Sequence, residues 1–301
     1  MAVGRRVIIP DYRRPQALLV PHYHSTILST LEAIAEQAAN FSGVILLSQD
    51  TALSEAFVAS CSSPELFHVI SAPFDTPWLR DRSPIAVKQG DQVHWVLPRL
   101  DTDDRPLDEE LFARIAQKPV EDAAVSLPHG NLVAGPRGRA VVMLQQTQDE
   151  TEWRHQLQQL DHLLGIRDWI LACGFEQEVT GHADVHMRFL GPKLAAIAWN
   201  EDDTEDQQRS IALERALLAS LPELHIIRLP LRSEDNHYAS PLNWLQFGKQ
   251  LLIPRYPLTP AADIRIIEQR LQQAGFKTRF IFSPTLEYAG SLHCLTASLY
   301  V

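Results

Sequence analysis

The sequence predicts a single α/β domain over residues 1–301, arranged as a closed ring of about five ββαβ units around a central pocket. Two observations carry that expectation. The order strand, strand, helix, strand recurs three times at a spacing of roughly fifty to sixty residues, and the two ends of the chain hold the pieces of a further unit. An open array would leave unpaired strand edges, so the pattern requires the ends to join.

Taken along the chain, the joining unit combines strands over 292–301 with 6–10 and a helix over 25–39. Residues 85–125 fit the pattern loosely. From 130 to 144, two apolar runs are split by Gly135-Pro136-Arg137-Gly138, a hairpin signal. A helix is predicted over 149–164, closed by Gly165 at C′, before the strand Trp169-Ile170-Leu171-Ala172. The next copy has strands over 185–190 and 194–199, a turn at Gly191-Pro192, a helix after the acidic cluster 202–206, and a strand over 226–229. The third has strands over 242–247 and 251–254, a turn at Gly248-Lys249, a helix stopped by Gly275, and a strand over 279–282. Thr259 as N-cap and Pro260 at the first helical position mark that helix's start, because the donor that proline lacks is one the first turn leaves unpaired.

Composition narrows the class of function. At 45% hydrophobic and 21% charged, the chain is neither disordered nor fibrous. Its start has two arginines but an apolar run far short of a signal or membrane segment, which predicts a cytoplasmic protein. Cys61, Cys173 and Cys294 are odd in number and widely spaced, arguing against a disulfide framework or structural zinc. The net charge of -10 disfavours nucleic acid and anionic membrane as partners and favours a cationic ligand.

Three segments place polar groups where a buried strand would carry Val or Leu: residues 78–84, residues 181–189, and the final apolar stretch around Cys294, framed as residues 290–296. A lone thiol there reads as a nucleophile. In an extended strand His182, Asp184 and His186 share one face. That set also fits three ligands for zinc or another divalent ion, so a metal-dependent hydrolase is an alternative. His293 would point to the strand face opposite Cys294 and serve as packing. Cys61 and Cys173 read as small hydrophobes, and the acidic run 201–206 as a solvated helix start. Each polar segment lies near the start of a unit's first strand, so one pocket can collect residues far apart in sequence.

Four motifs in order carry a family resemblance. Trp78-Leu79-Arg80-Asp81-Arg82-Ser83-Pro84 resembles W-x-R-D-x-G-P, and Gly181-His182-Ala183-Asp184 with Arg188-Phe189 resembles G-H-x-D followed by R-F. His237-Tyr238-Ala239-Ser240-Pro241-Leu242-Asn243-Trp244 is similar to Y-x-S-Y-x-N-F, and Leu292-His293-Cys294-Leu295-Thr296 to I-H-C-I-T. On these the chain resembles the agmatine deiminases and bacterial-type peptidylarginine deiminases of the guanidine-modifying superfamily, over most of its length. The resemblance implies a pentein fold, a five-bladed α/β propeller, and a homodimer.

The implied chemistry explains the residue types. A guanidinium is planar and cationic, and carboxylates in fork geometry bind its N–H donors; Asp81 and Asp184 are the candidates. Cys294 attacks the central carbon as a thiolate, its pKa lowered by a nearby imidazolium or by the substrate's charge. His182 protonates the departing ammonia and then activates the water that hydrolyses the amidino-thioether, leaving a ureido group. Trp78 supplies a wall for the flat cation. Arg80, Arg188 and Asn243 join the substrate-binding set as supporting partners. No metal or organic cofactor is required.

The chain also departs from the pattern. Pro128-His129-Gly130-Asn131 stands where the family has E-G-G-[NS], so His129 replaces the carboxylate expected to support the catalytic histidine, and Ser83 replaces a motif glycine. A guanidine deiminase acting on agmatine, before arginine or peptidylarginine, is the expected function. Amidino transfer to an acceptor amine and a non-catalytic or weakened guanidine binder are the alternatives, besides the metal-dependent hydrolase.

Overall fold

The computed structural model describes residues 5–98, 105–116, 119–144 and 149–300. Among these the strands form five sheets, each built on an antiparallel pair whose second strand has a parallel neighbour reached through helix. In chain order, the antiparallel pairs are Ile85–Gln89 with Gln92–Pro98, Val133–Ala134 with Arg139–Leu144, Met187–Gly191 with Leu194–Asn200, and Leu245–Phe247 with Gln250–Arg255. The fifth is Ala297–Leu299 with Ala17–His22, which brings the two ends of the chain into one sheet.

Local chemistry starts and stops the connecting helices. The Asp203 carboxylate accepts from Glu205 N at 2.8 Å and Asp206 N at 3.0 Å, opening Thr204–Ser220, and Asp149 accepts from Glu152 N at 2.9 Å to open Glu150–Gln158. Gly165, at φ 69°, closes the following turn Asp161–Leu164 in the left-handed conformation glycine adopts without cost. The central strand Leu194–Asn200 is rich in small residues because both its faces are covered: Ala195, Ala196, Ile197 and Ala198 are all fully buried.

Apolar clusters lie between successive sheets. Ile85, Val87 and Val96 pack with Ala140 and Val142, Val133 and Val141 with Met187 and Phe189, and Ala196 and Leu229 with Leu251 and Ile253. Leu245 and Leu252 pack with Leu18 and Val20, and Ala86 and Trp95 with Tyr300. Among the described residues no helix is long and apolar enough to cross a membrane.

Several expectations are corrected. Arg6–Ile8 does not join the C-terminal strand; it pairs antiparallel with Ile85–Gln89, and Ala17–His22 takes the predicted place. The helix expected over 149–164 is two pieces, because Gln159 N and Leu160 N bond the carbonyls three residues back and tighten the chain so that Leu157, Leu160 and Leu164 are all buried. Thr259 does not cap its helix: its hydroxyl accepts from Tyr256 N at 3.2 Å, and the helix runs Ala261–Gln273 after an extended Pro260. The acidic run is only partly solvated, since Asp206 is buried against Asn200 Nδ2 at 2.9 Å and Asp202 pairs with Arg232.

Residues 182–186 form a single helical turn, Ala183–His186, ahead of the strand, with His182 at its N-cap. In a helix, residues two apart diverge, and the three polar side chains do so: His182 faces Asp81, Asp184 faces His293, and His186 faces Glu178. The proposed three-ligand metal set is therefore not assembled, and no group of three or more His, Cys, Asp or Glu able to hold a metal occurs among the described residues.

Candidate active site

Every segment singled out above immediately precedes the first strand of an antiparallel pair. Residues 78–84 lead into Ile85–Gln89, His129–Asn131 into Val133–Ala134, Ala183–His186 into Met187–Gly191, Asn243 into Leu245–Phe247, and residues 292–296 into Ala297–Leu299. These connections meet: Arg80 N donates to Cys294 O at 3.1 Å, His129 N to Asp81 O at 3.4 Å, and His293 N to Asn243 O at 3.1 Å.

Cys294 sits on a turn, not in the strand, with Leu295 N bonded to Ser291 O at 2.9 Å. Its thiol is buried. Asn243 Nδ2 donates to Sγ at 3.0 Å, and Sγ lies 3.8 Å from Asp184 Oδ2. Burial, then the charges of Asp184 and Asp81, push the thiol well above its ordinary value of 9.0, so in the free site it is protonated.

Asp184 is fully buried; burial alone would raise its pKa, but the hydrogen bond from His293 and the charge of Arg188 outweigh it and hold the carboxyl below its ordinary range. Asp81 Oδ1 lies 3.7 Å from His182 Nδ1. Its other oxygen is 3.4 Å from Arg105 Nη1. Asp81 Oδ1 and Asp184 Oδ1 are both buried without a hydrogen-bond partner, and orphaned buried acceptors call for an explanation. The His182 ring approaches Gly130 so closely that a Cβ there would lie 2.5 Å from Nδ1.

His129 does not stand in for the expected glutamate at His182. Its Nδ1 meets Ser83 Oγ at 2.8 Å, and burial followed by the Arg80 charge lowers its pKa to about 3, so it is neutral. The two departures from the motif thus pair with each other, and the carboxylate facing His182 is that of Asp81. Asn243, Arg80 and Arg188, expected as supporting partners, all bond within the protein. Asn243 spends its side chain on the cysteine turn, Oδ1 accepting from His293 N at 3.0 Å and Cys294 N at 3.3 Å. Arg80 Nε donates to His293 O at 3.4 Å and Arg188 Nη1 to Trp244 O at 3.3 Å, both guanidinium groups being buried.

Trp78 is half-buried, and its ring comes so close to Gly290 that a Cβ there would fall 2.4 Å from Cζ3. Beside Asn243 and Gly290 a pocket is lined also by Glu178, Tyr238, Ser240 and Tyr256. Thr180 N, Thr180 Oγ1 and Gly181 N all donate to the Glu178 carboxylate, shaping the turn into His182.

The family model of Porphyromonas-type peptidyl-arginine deiminase matches residues 14–299. The chain belongs to that family. Among solved structures, C. jejuni agmatine deiminase superposes with a TM-score of 0.82 at 17% identity, covering 100% of this chain and 98% of that one. An Enterococcus faecalis agmatine deiminase gives 0.80 at 14% identity, covering 98% and 95%, and the N-terminal domain of a cyanobacterial arginine dihydrolase gives 0.61 at 12%, covering 94% and 98%. At these identities the likeness is one of fold, a mixed α/β fold shared with these deiminases. Among curated proteins no sequence matches the chain.

Sequence reasoning missed Asp11 and misjudged His293. His293 Nδ1 meets Asp184 Oδ2 at 2.6 Å, and Asp11 Oδ2 lies 3.5 Å from both His293 Nε2 and Arg188 Nη2. The helical turn at 292–295 removes the face alternation on which the packing assignment of His293 rested. For Asp11 the sequence carried no signal.

Proposed function

We propose that this family member is a cysteine-dependent guanidine deiminase, converting a guanidino group to a ureido group with release of ammonia. We read its five sheets as the blades of one closed ring, with the site at the convergence of the connections. The observation that carries the reading is the pair of orphaned carboxylate oxygens, Asp81 Oδ1 and Asp184 Oδ1, in the neighbourhood of one buried thiol and one histidine. A guanidinium satisfies both acceptors with charge-assisted bonds.

Substrate binding would also switch on the nucleophile. The charges of Asp184 and Asp81 help to hold Cys294 as a thiol, so a cation seated between them removes that effect and favours the thiolate. The thiol proton passes to His182 as Sγ forms a bond to the guanidinium carbon. The adduct collapses when His182 returns the proton to the departing nitrogen, which leaves as ammonia. Water then attacks the amidino-thioether and gives a proton to His182; the C–S bond breaks, and the thiol is regenerated as the ureido product leaves.

Agmatine is the favoured substrate. Two of the solved structures that share its fold are agmatine deiminases, and the net charge of -10 favours a ligand that carries cationic groups and no carboxylate. The test is release of ureido product and ammonia from agmatine, arginine and a blocked peptidylarginine by the protein and by Cys294→Ala. Product from agmatine that disappears in the variant is expected; product that persists in the variant overturns the nucleophile, and silence on all three overturns the activity.

A further inference from the structure

His293 neighbours Cys294 in sequence but faces two carboxylates. Its Nδ1 lies 2.6 Å from Asp184 Oδ2, and its Nε2 lies 3.5 Å from Asp11 Oδ2. Asp11 in turn has Arg188 Nη2 at 3.5 Å and Arg80 Nη1 at 3.9 Å. Two carboxylates are thus balanced by two guanidinium groups without His293. Burial, then the charges of Arg188 and Arg80, hold the imidazole below its ordinary value, so it is neutral and carries one N–H. The short contact places that hydrogen on Nδ1, donated to Asp184. A small cavity beside the ring is lined by Asp11, Arg188, Gln246 and His293 together with Leu18 and Phe247, and Nε2 itself has no hydrogen-bond partner.

This arrangement divides the Asp184 carboxylate. Oδ2 is taken by His293, while Oδ1 is buried and unbonded. The same Oδ2 is the atom 3.8 Å from Cys294 Sγ, and so the acceptor that would hold the thiol's proton. A carboxylate whose oxygen is already bonded is a weaker acceptor for that proton.

We propose that His293 is a positioning residue for the reaction: it occupies Asp184 Oδ2, leaves Oδ1 for the guanidinium, and keeps the carboxylate from holding the Cys294 proton. The proposal rests on the deiminase reading, but one of its readouts does not. Alkylation of Cys294 by iodoacetamide across pH, without substrate, reports thiol reactivity whether or not any guanidine turns over.

The variants are His293→Leu, which removes the donor, His293→Asn, which keeps an amide N–H near the place of Nδ1, and His293→Ala, a smaller deletion of the same donor. For His293→Leu, alkylation at neutral pH is expected to slow roughly tenfold, with its midpoint moved to higher pH, and KM for agmatine to rise more than kcat falls. His293→Asn restores most of both, and His293→Ala behaves like His293→Leu. An unchanged alkylation profile in His293→Leu, or an Asn variant no better than Leu, would make His293 mere packing and overturn the proposal. Should the Leu variant fail to fold, a His293→Ala protein with a wild-type alkylation midpoint overturns it equally. If the wild-type protein turns over no guanidine while the alkylation shifts appear, the positioning role stands and the deiminase reading fails.

Discussion

Asn243 holds Cys294 from two directions: its Nδ2 donates to Sγ at 3.0 Å, and its Oδ1 accepts from the Cys294 backbone N at 3.3 Å. One amide therefore fixes both the backbone and the sulfur of the candidate nucleophile. It can do so because the first strand of the fourth sheet starts two residues later, beside the turn that opens the C-terminal strand.

Asn243→Ala should remove three hydrogen bonds in a buried setting, each worth on the order of 1 kcal/mol net, and lower kcat by about ten- to a hundredfold. KM should change much less. Steady-state kinetics on agmatine separate the two; a variant with a raised KM and intact kcat would show instead that Asn243 binds substrate.

The raised pKa of Cys294 predicts a stability that depends on alkaline pH. A folded-state pKa above the unfolded value favours the folded protein while the thiol is protonated, and that contribution is lost as pH rises past 9.0 through the folded value. Thermal melts of wild type and Cys294→Ala should therefore diverge progressively above that pH, the wild type falling faster. Parallel curves would mean the thiol ionises as freely folded as unfolded.

Gly290→Ala and Gly130→Ala should each disturb one wall of the site. The added carbons would fall 2.4 Å from Trp78 Cζ3 and 2.5 Å from His182 Nδ1, which the structure can relieve only by moving those rings. Overpacking of this kind typically costs about 1–3 kcal/mol. Gly290→Ala is expected mainly to raise KM, and Gly130→Ala mainly to lower kcat, as measured with agmatine beside a thermal melt.

Cys173→Ala should leave activity within about twofold, because this cysteine is exposed at the end of its strand, where substitutions are usually worth less than about 0.5 kcal/mol. Ureido-product release is the readout. An inactive Cys173 variant beside an active Cys294 variant would reverse the assignment of the nucleophile.

Much of the architecture was legible in the chain because it is written locally. Turn residues separate the antiparallel pairs, Asp149 and Gly165 mark helix ends, and each polar motif sits just ahead of a first strand. The conformation of residues 182–186 was not legible, since an alternation of polar and apolar residues over so few positions fits a strand or one helical turn equally well. Nor was the sheet assignment of Arg6–Ile8, because a short apolar strand records that it needs an edge without recording which one.

The family motifs, the repeated order of elements and the candidate thiol, histidine and two carboxylates of the proposed chemistry were all readable in the chain. Tertiary structure alone decided that His129 pairs with Ser83, that Asn243 serves the cysteine turn, and that Asp11 and His293 stand behind Asp184. The reason is physical. Helix ends and turns depend on neighbours a few residues apart, whereas a buried charge takes its partner and its protonation state from whichever groups the packed sheets bring within a few ångströms.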